Sequence, residues 1–186
     1  MTTKTGKTKR KPTWTDLKRR LNELDRNGLI GLIQDLYAAG KDNKAFLHAR
    51  FGLGDDVLKP YKATISRWVC PDVFKNQDIS VAKAKKAISD YRKAIGHPEG
   101  MAELTVFYCE EGTTFIDLCG MDDEGYLEVL VRMFEEALEA TCKVDPGLQQ
   151  SFVERLEEVR QECQNYGYCV GDDMDNLMVD YGFGEE

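Results

Sequence analysis

The sequence predicts an all-α protein, an irregular helical bundle or array of about seven to nine helices packed as antiparallel pairs. Three observations predict it. Apolar residues recur at spacings of three and four along most of the chain. Capping residues precede the periodic runs and glycines follow them at short intervals. Strand signals are nearly absent: Leu104 to Cys109 (LTVFYC) is the best β candidate, and its flanks suit a helix equally well.

Residues 1–13 carry five Lys/Arg among Thr and Gly and have no apolar residue after Met1, which predicts a disordered basic arm. Structure is expected from Trp14. Thr15 is placed to cap a helix carrying Leu17, Leu21 and Leu24, and Asp25 to cap the next. That second helix has a broad apolar face of Leu29, Ile30, Leu32, Ile33, Leu36 and Tyr37, and Gly40 ends it. A short third helix follows from Ala45 to Phe51. Asp55 or Asp56 then opens a fourth through Trp68, with Pro60 tolerated near its first turn.

Pro71 to Asp78 reads as a loop. Ser80 caps a helix to Ile95, with Val81, Ala84, Ile88 and Tyr91 inward. Pro98 starts another, expected to stop at Gly112, with a short segment from Thr114 to Cys119 after it. Asp122 or Asp123 opens a helix with Leu127, Leu130, Phe134 and Leu138 inward. Asp145-Pro146 opens a long one with Leu148, Phe152, Leu156, Val159, Cys163 and Tyr166 on one face. The expected organisation is therefore the arm 1–13, a single helical domain 14–167 and an acidic, Gly/Asp-rich tail 168–186, with one helical turn near Asn176. At 186 residues the chain can bury roughly 70% of its unfolded surface and needs no disulfide or metal to fold.

Charge is segregated along the chain. Residues 1–98 hold 21 Lys/Arg against 10 Asp/Glu, while residues 99–186 hold 4 against 23. The overall net charge of −8 hides this polarity, which bears on partners and not on fold. No apolar run approaches the ~20 residues of a membrane span. The positive N-terminus lacks the apolar segment of a secretory signal. The expectation is a cytoplasmic protein without a membrane partner, with Cys70, Cys109, Cys119, Cys142, Cys163 and Cys169 as reduced thiols.

Between about Leu17 and Ala140 the pattern resembles an uncharacterised bacterial family, domain of unknown function 6155. The likeness rests on LKRRLNELDRNGLIGLIQDLYAAGKDNKAFLHARF, on Tyr61-Lys62-Ala63-Thr64-Ile65 with Ser80-Val81-Ala82-Lys83, and on Leu104, Phe107, Tyr108, Glu110 and Gly112, followed by Phe115 and Gly120. The resemblance implies an all-helical fold and no known activity, so no functional residue is carried over.

No catalytic constellation is visible. His48 lies in a helical run and His97 in a Gly-His-Pro loop, and neither has an evident partner. The nearest cysteines, Cys163 and Cys169, are six apart, too far for the pairs of a zinc site, so the thiols are read as buried apolar groups. Asp172-Asp173-Met174-Asp175 lacks the glycine and closing glutamate of a Ca²⁺ loop. Gly28-Leu29-Ile30-Gly31 follows no strand and precedes no Gly-Lys-Ser/Thr, so no phosphate cradle is expected. The chain is therefore expected to be a non-catalytic interaction or adaptor module, without cofactor or metal. It would dock a protein partner or its own copies, basic front against acidic back.

The alternative is a nucleic-acid-associated protein. Lys7, Lys9, Arg10 and Lys11 form the cationic arm, and Trp14, Lys18, Arg19 and Arg20 extend it onto the first helix. Lys83, Lys86 and Lys93 share one helix face. Six such charges on phosphates would give log K a slope of roughly −5 against log salt. No recognition-helix motif accompanies them, and the acidic back half would repel a polyanion.

Overall fold

The computed structural model describes residues 11–53 and 56–184. Among them are nine α-helices and no strand: α1 (Trp14–Leu21), α2 (Arg26–Ala39), α3 (Lys41–Arg50), α4 (Lys59–Val69), α5 (Val81–Ala94), α6 (Pro98–Cys119), α7 (Glu124–Thr141), α8 (Pro146–Cys163) and α9 (Val170–Asp180). Leu104 to Cys109 is helical, inside α6. In place of a single domain over 14–167, the chain divides into two compact units, Met1–Lys44 and Ala45–Glu186.

In the first unit, α1 begins with a capping box. The Thr13 side chain accepts from the Asp16 amide, and the Asp16 carboxylate accepts from the Thr13 amide. Thr13, not Thr15, is the cap because only Thr13 has an acid three residues on to return the bond. Asp25 caps α2 by accepting from the Gly28 amide at 2.7 Å. Neither α1 nor α2 contains a buried residue.

The second unit holds the core and is organised around α6. Twelve of the 22 residues of α6 are buried, and α4, α5, α7 and α8 all pack on it. Side-chain register fixes the directions. Phe115 meets Tyr126 and Gly112 faces Leu130, so α6 and α7 are antiparallel. Tyr61 meets Tyr91 edge-on and Lys83 lies over Trp68, so α4 and α5 are antiparallel as well. Lys62 reaches Glu103 while Val69 faces Gly112, so α4 runs with α6. Arg155 reaches Glu103 and Tyr166 reaches Thr113, so α8 does too.

The helix expected to stop at Gly112 runs seven residues further, to Cys119, and ends at Gly120 in the left-handed conformation (φ 62°). A glycine inside a helix costs ~1 kcal/mol relative to alanine. Here it allows close approach, since a Cβ at Gly112 would lie 2.9 Å from Leu130 Cδ1. Gly100 serves the same end against Tyr91, whose hydroxyl occupies the space of a side chain.

The supposed tail is also different. Residues 170–180 form α9, which buries Val170, Met174 and Met178 and packs on α7 and α8. Those three residues recur at every fourth position, which is a helical signal that the surrounding Gly and Asp obscure. Asp172 and Asp173 in its first turn suit the positive end of the helix dipole.

Candidate docking surface

The acidic half supplies the most coherent surface. All four cations of residues 99–186 are consumed by intrachain ion pairs. Arg132 pairs with Glu128, Lys143 with Glu139, Arg155 with Glu103 and Glu110, and Arg160 with Glu157 and Asp175. Glu154, Glu158 and Glu162 stand four residues apart on α8, exposed, and carry no ion pair among the described residues. Their spacing aligns them as one acidic stripe. Beside the stripe, α8 and α9 enclose a groove of about 600 Å³. Val153, Met178, Val179 and Phe183 contribute apolar walls and Glu154 and Glu157 an acidic edge. Arg160 hydrogen bonds hold the Glu157 carboxyl below its ordinary pKa despite partial burial.

Arg155 itself is a staple. Its guanidinium donates to Glu110 at 2.6 and 2.8 Å and to Glu103 at 2.6 and 3.2 Å, and Lys62 of α4 donates to the same Glu103 at 2.5 Å. Burial works against the Glu103 carboxylate, but the bonds from Arg155 and Lys62 outweigh it and depress the pKa. Hydrogen bonds to Glu110, opposed by burial and helped by those to Glu103, raise that of Arg155. Two cations balance two anions, so the cluster joins α4, α6 and α8 without offering free charge. Glu103 also lines a cleft of about 350 Å³ with Tyr91, Ile95, His97, Gly100 and Phe152. Its carboxylate is engaged by the staple, while Glu99 lines the same cleft beside His97.

The basic residues are less convergent than the sequence suggests. Lys7, Lys9 and Arg10 lie outside the described residues. Lys11 and Lys18 are exposed, Arg19 stands 3.9 Å from Asp16, and Arg20 pairs with Glu23 at 3.1 Å. Trp14 is 67% exposed at the start of α1. On α5, Lys83 lies over the Trp68 ring at 3.6 Å, Lys86 pairs with Asp90 at 2.6 Å, and Lys93 is exposed. Asp90 shares the face of Lys83, Lys86 and Lys93 and lowers its potential, which the charge count alone did not reveal. The two basic groups belong to different units.

The thiols correct another expectation. Only Cys109 and Cys163 are buried; Cys70 is half-buried, and Cys119, Cys142 and Cys169 are exposed. Burial raises the Cys109 thiol well above its usual range and Cys163 to about 12. Among the described residues no three His, Cys, Asp or Glu side chains are grouped to hold a metal ion, and no helix is long and apolar enough to cross a membrane. No protein family, curated protein or solved structure matches this chain.

Proposed function

We propose that this protein is a non-catalytic docking module that engages a protein partner, or its own copies, through charge-segregated helical surfaces. One observation carries the reading: the cations of the acidic half are already spent internally, while the Glu154–Glu158–Glu162 stripe is left open beside an apolar groove. Desolvating so many like charges is unfavourable unless an opposite charge meets them, so the fitting partner surface is basic and partly apolar. Residues 1–44 have that composition, with 11 Lys/Arg against 5 Asp/Glu. The resemblance to domain of unknown function 6155 implies no activity.

The test is fluorescence anisotropy of a labelled peptide of residues 1–24, titrated with the full chain at 50 and 500 mM salt. Binding at low salt should weaken at least tenfold at high salt and when Glu154, Glu158 and Glu162 are changed to Gln. Equal weakening on changing Glu124 and Glu128 to Gln, a different acidic surface, would reject the stripe as the site.

A second reading, nucleic-acid association, is favoured by exposed Trp14 beside Lys18, Arg19 and Arg20. A gel shift with duplex and single-stranded DNA and RNA decides it. Retardation at low salt that disappears when residues 1–13 are removed and Trp14, Lys18, Arg19 and Arg20 are changed to Ala supports it, and no retardation rejects it.

A further inference from the structure

Helix α6 begins without a side-chain cap. His97 at its N-cap makes no capping bond, and Pro98 has no amide hydrogen. The first amide with a backbone acceptor is that of Met101, which donates to the His97 carbonyl at 3.0 Å. The Glu99 and Gly100 amides therefore have no acceptor among the described residues, at the positive end of a 22-residue helix. This turn forms one side of the cleft of about 350 Å³, and Gly100 can line it only through its backbone. A second observation falls in the same place. Tyr91, 3% exposed, lines the cleft, and its hydroxyl occupies the space that a side chain at position 100 would need. That hydroxyl has no hydrogen-bond partner among the described residues. Tyr61 packs edge-on against the Tyr91 ring, centroids 5.4 Å apart, and its hydroxyl is buried without a partner as well. Buried hydroxyls are nearly always bonded, and Tyr91 with the two amides brings three donors to one small space.

We infer that this cleft binds a small uncharged molecule with an apolar body and a carbonyl oxygen, which accepts from the Tyr91 hydroxyl and the first turn of α6. The inference goes beyond the docking reading and does not rest on it. Every wall of the cleft belongs to residues 45–186. Val57, Leu58, Ile95 and Phe152 supply the apolar walls, and the volume lies at the small end of ligand sites, which span ~300–1,000 Å³. Charge selects against an acid. Glu103 is balanced by Arg155 and Lys62 and attracts neither sign. Glu99, exposed, also lines the cleft and repels a second carboxylate. An ammonium group would suit Glu99 but has no lone pair to offer the three donors.

Amide chemical shifts of the full chain at pH 8, titrated with acetophenone to about 20 mM, test the inference. The expected result is saturable shifts concentrated at Ile95, Glu99 and Gly100, with a millimolar Kd. Tyr91→Phe should weaken acetophenone about fivefold, the worth of one hydrogen bond, with an unchanged unfolding midpoint because the hydroxyl bonds nothing in the chain. Toluene, which lacks the oxygen, should bind more weakly than acetophenone and equally to both proteins. Benzoate should bind about tenfold more weakly than acetophenone. Val57→Trp, which narrows the cleft, should abolish the shifts with unchanged far-ultraviolet helicity. Shifts that do not saturate, or that are as large within residues 26–39, would overturn the site. Equal acetophenone affinity in Tyr91→Phe and the unaltered chain, or benzoate binding more tightly than acetophenone, would overturn the class of ligand.

Discussion

Helices α2 and α5 are both 14 residues long, and α2 is the more apolar, yet α5 buries Ala84, Ala87, Ile88, Tyr91 and Ala94 while α2 buries nothing. The difference lies in their neighbours. α5 lies against α4 and α6, and its small alanines let those helices come close. α2 carries six large apolar side chains, and none of its described residues is buried. Hydrophobic periodicity therefore specifies a helix and its sticky side, and the presence of a second surface decides whether that side contributes to the stability of the monomer.

The largest consequence concerns core truncation. Phe134 is fully buried on α7, so Phe134→Ala should cost ~3–5 kcal/mol. Ile33→Ala removes a smaller apolar group, from a half-exposed position on α2. At concentrations below any self-association it should shift the main unfolding transition by less than ~0.5 kcal/mol. Urea denaturation followed by far-ultraviolet circular dichroism measures both. Comparable losses from the two variants would mean that α2 is covered within one chain.

The Arg155 staple comes next. Arg155→Ala leaves Glu103 and Glu110 facing each other, still partly buried, with only Lys62 in reach of Glu103. Breaking a buried pair on one side costs ~3–5 kcal/mol, and water reaching these half-exposed groups reduces that here to ~1–3 kcal/mol. The same urea titration measures it, and a loss below that range would mean the cluster is solvated. Lys86 and Asp90, an exposed pair four apart on α5, provide the contrast: Lys86→Ala should cost less than ~0.5 kcal/mol.

The staple also makes an acid-side prediction. The folded pKa of Glu103 is depressed below the ordinary value of about 4.3 that the unfolded chain would show. Its contribution is therefore complete above pH ~4.3 and lost as pH falls through the folded value, because the unfolded state binds the proton first. Denaturation midpoints measured from pH 6 to pH 3 should decline, and Arg155→Ala should decline less steeply over that window. Parallel declines would remove Glu103 as a source of the acid sensitivity.

Local chemistry explains which parts of the structure were legible in the sequence. Asp25 and Asp145 each cap the helix they were expected to cap, and of the alternatives Asp122 and Asp123 it is Asp123 that caps α7, because a short carboxylate before a periodic run has few other uses. Gly112 misled because a glycine marks both a helix end and a close helix contact, and only Leu130, 18 residues away, distinguishes the two. Helix α9 was hidden by its acidic residues, which are surface and dipole partners of a helix whose other side is Val170, Met174 and Met178. The Glu154–Glu158–Glu162 stripe was present as a four-residue spacing. Its openness was not, since it depends on Arg155 and Arg160 being drawn to Glu103, Glu110 and Asp175, which are distant in sequence. Likewise nothing in the basic run of α5 says that Lys83 rests on Trp68.

The smallest effect is also the cleanest comparison, since it makes one chemical change in two places. Asp25 accepts from the Gly28 amide at 2.7 Å and Asp123 from the Tyr126 amide at 2.8 Å, so the two caps are geometrically equivalent. Losing such a cap costs a helix ~1 kcal/mol. Helix α7 is welded to α6, α8 and α9, so Asp123→Ala should lower global stability by that ~1 kcal/mol. No described residue of α2 belongs to the buried core, so Asp25→Ala should leave the main transition where it is. Its cost should appear instead as faster amide hydrogen exchange within residues 26–39. An equal global loss from both changes would show that the two units unfold as one.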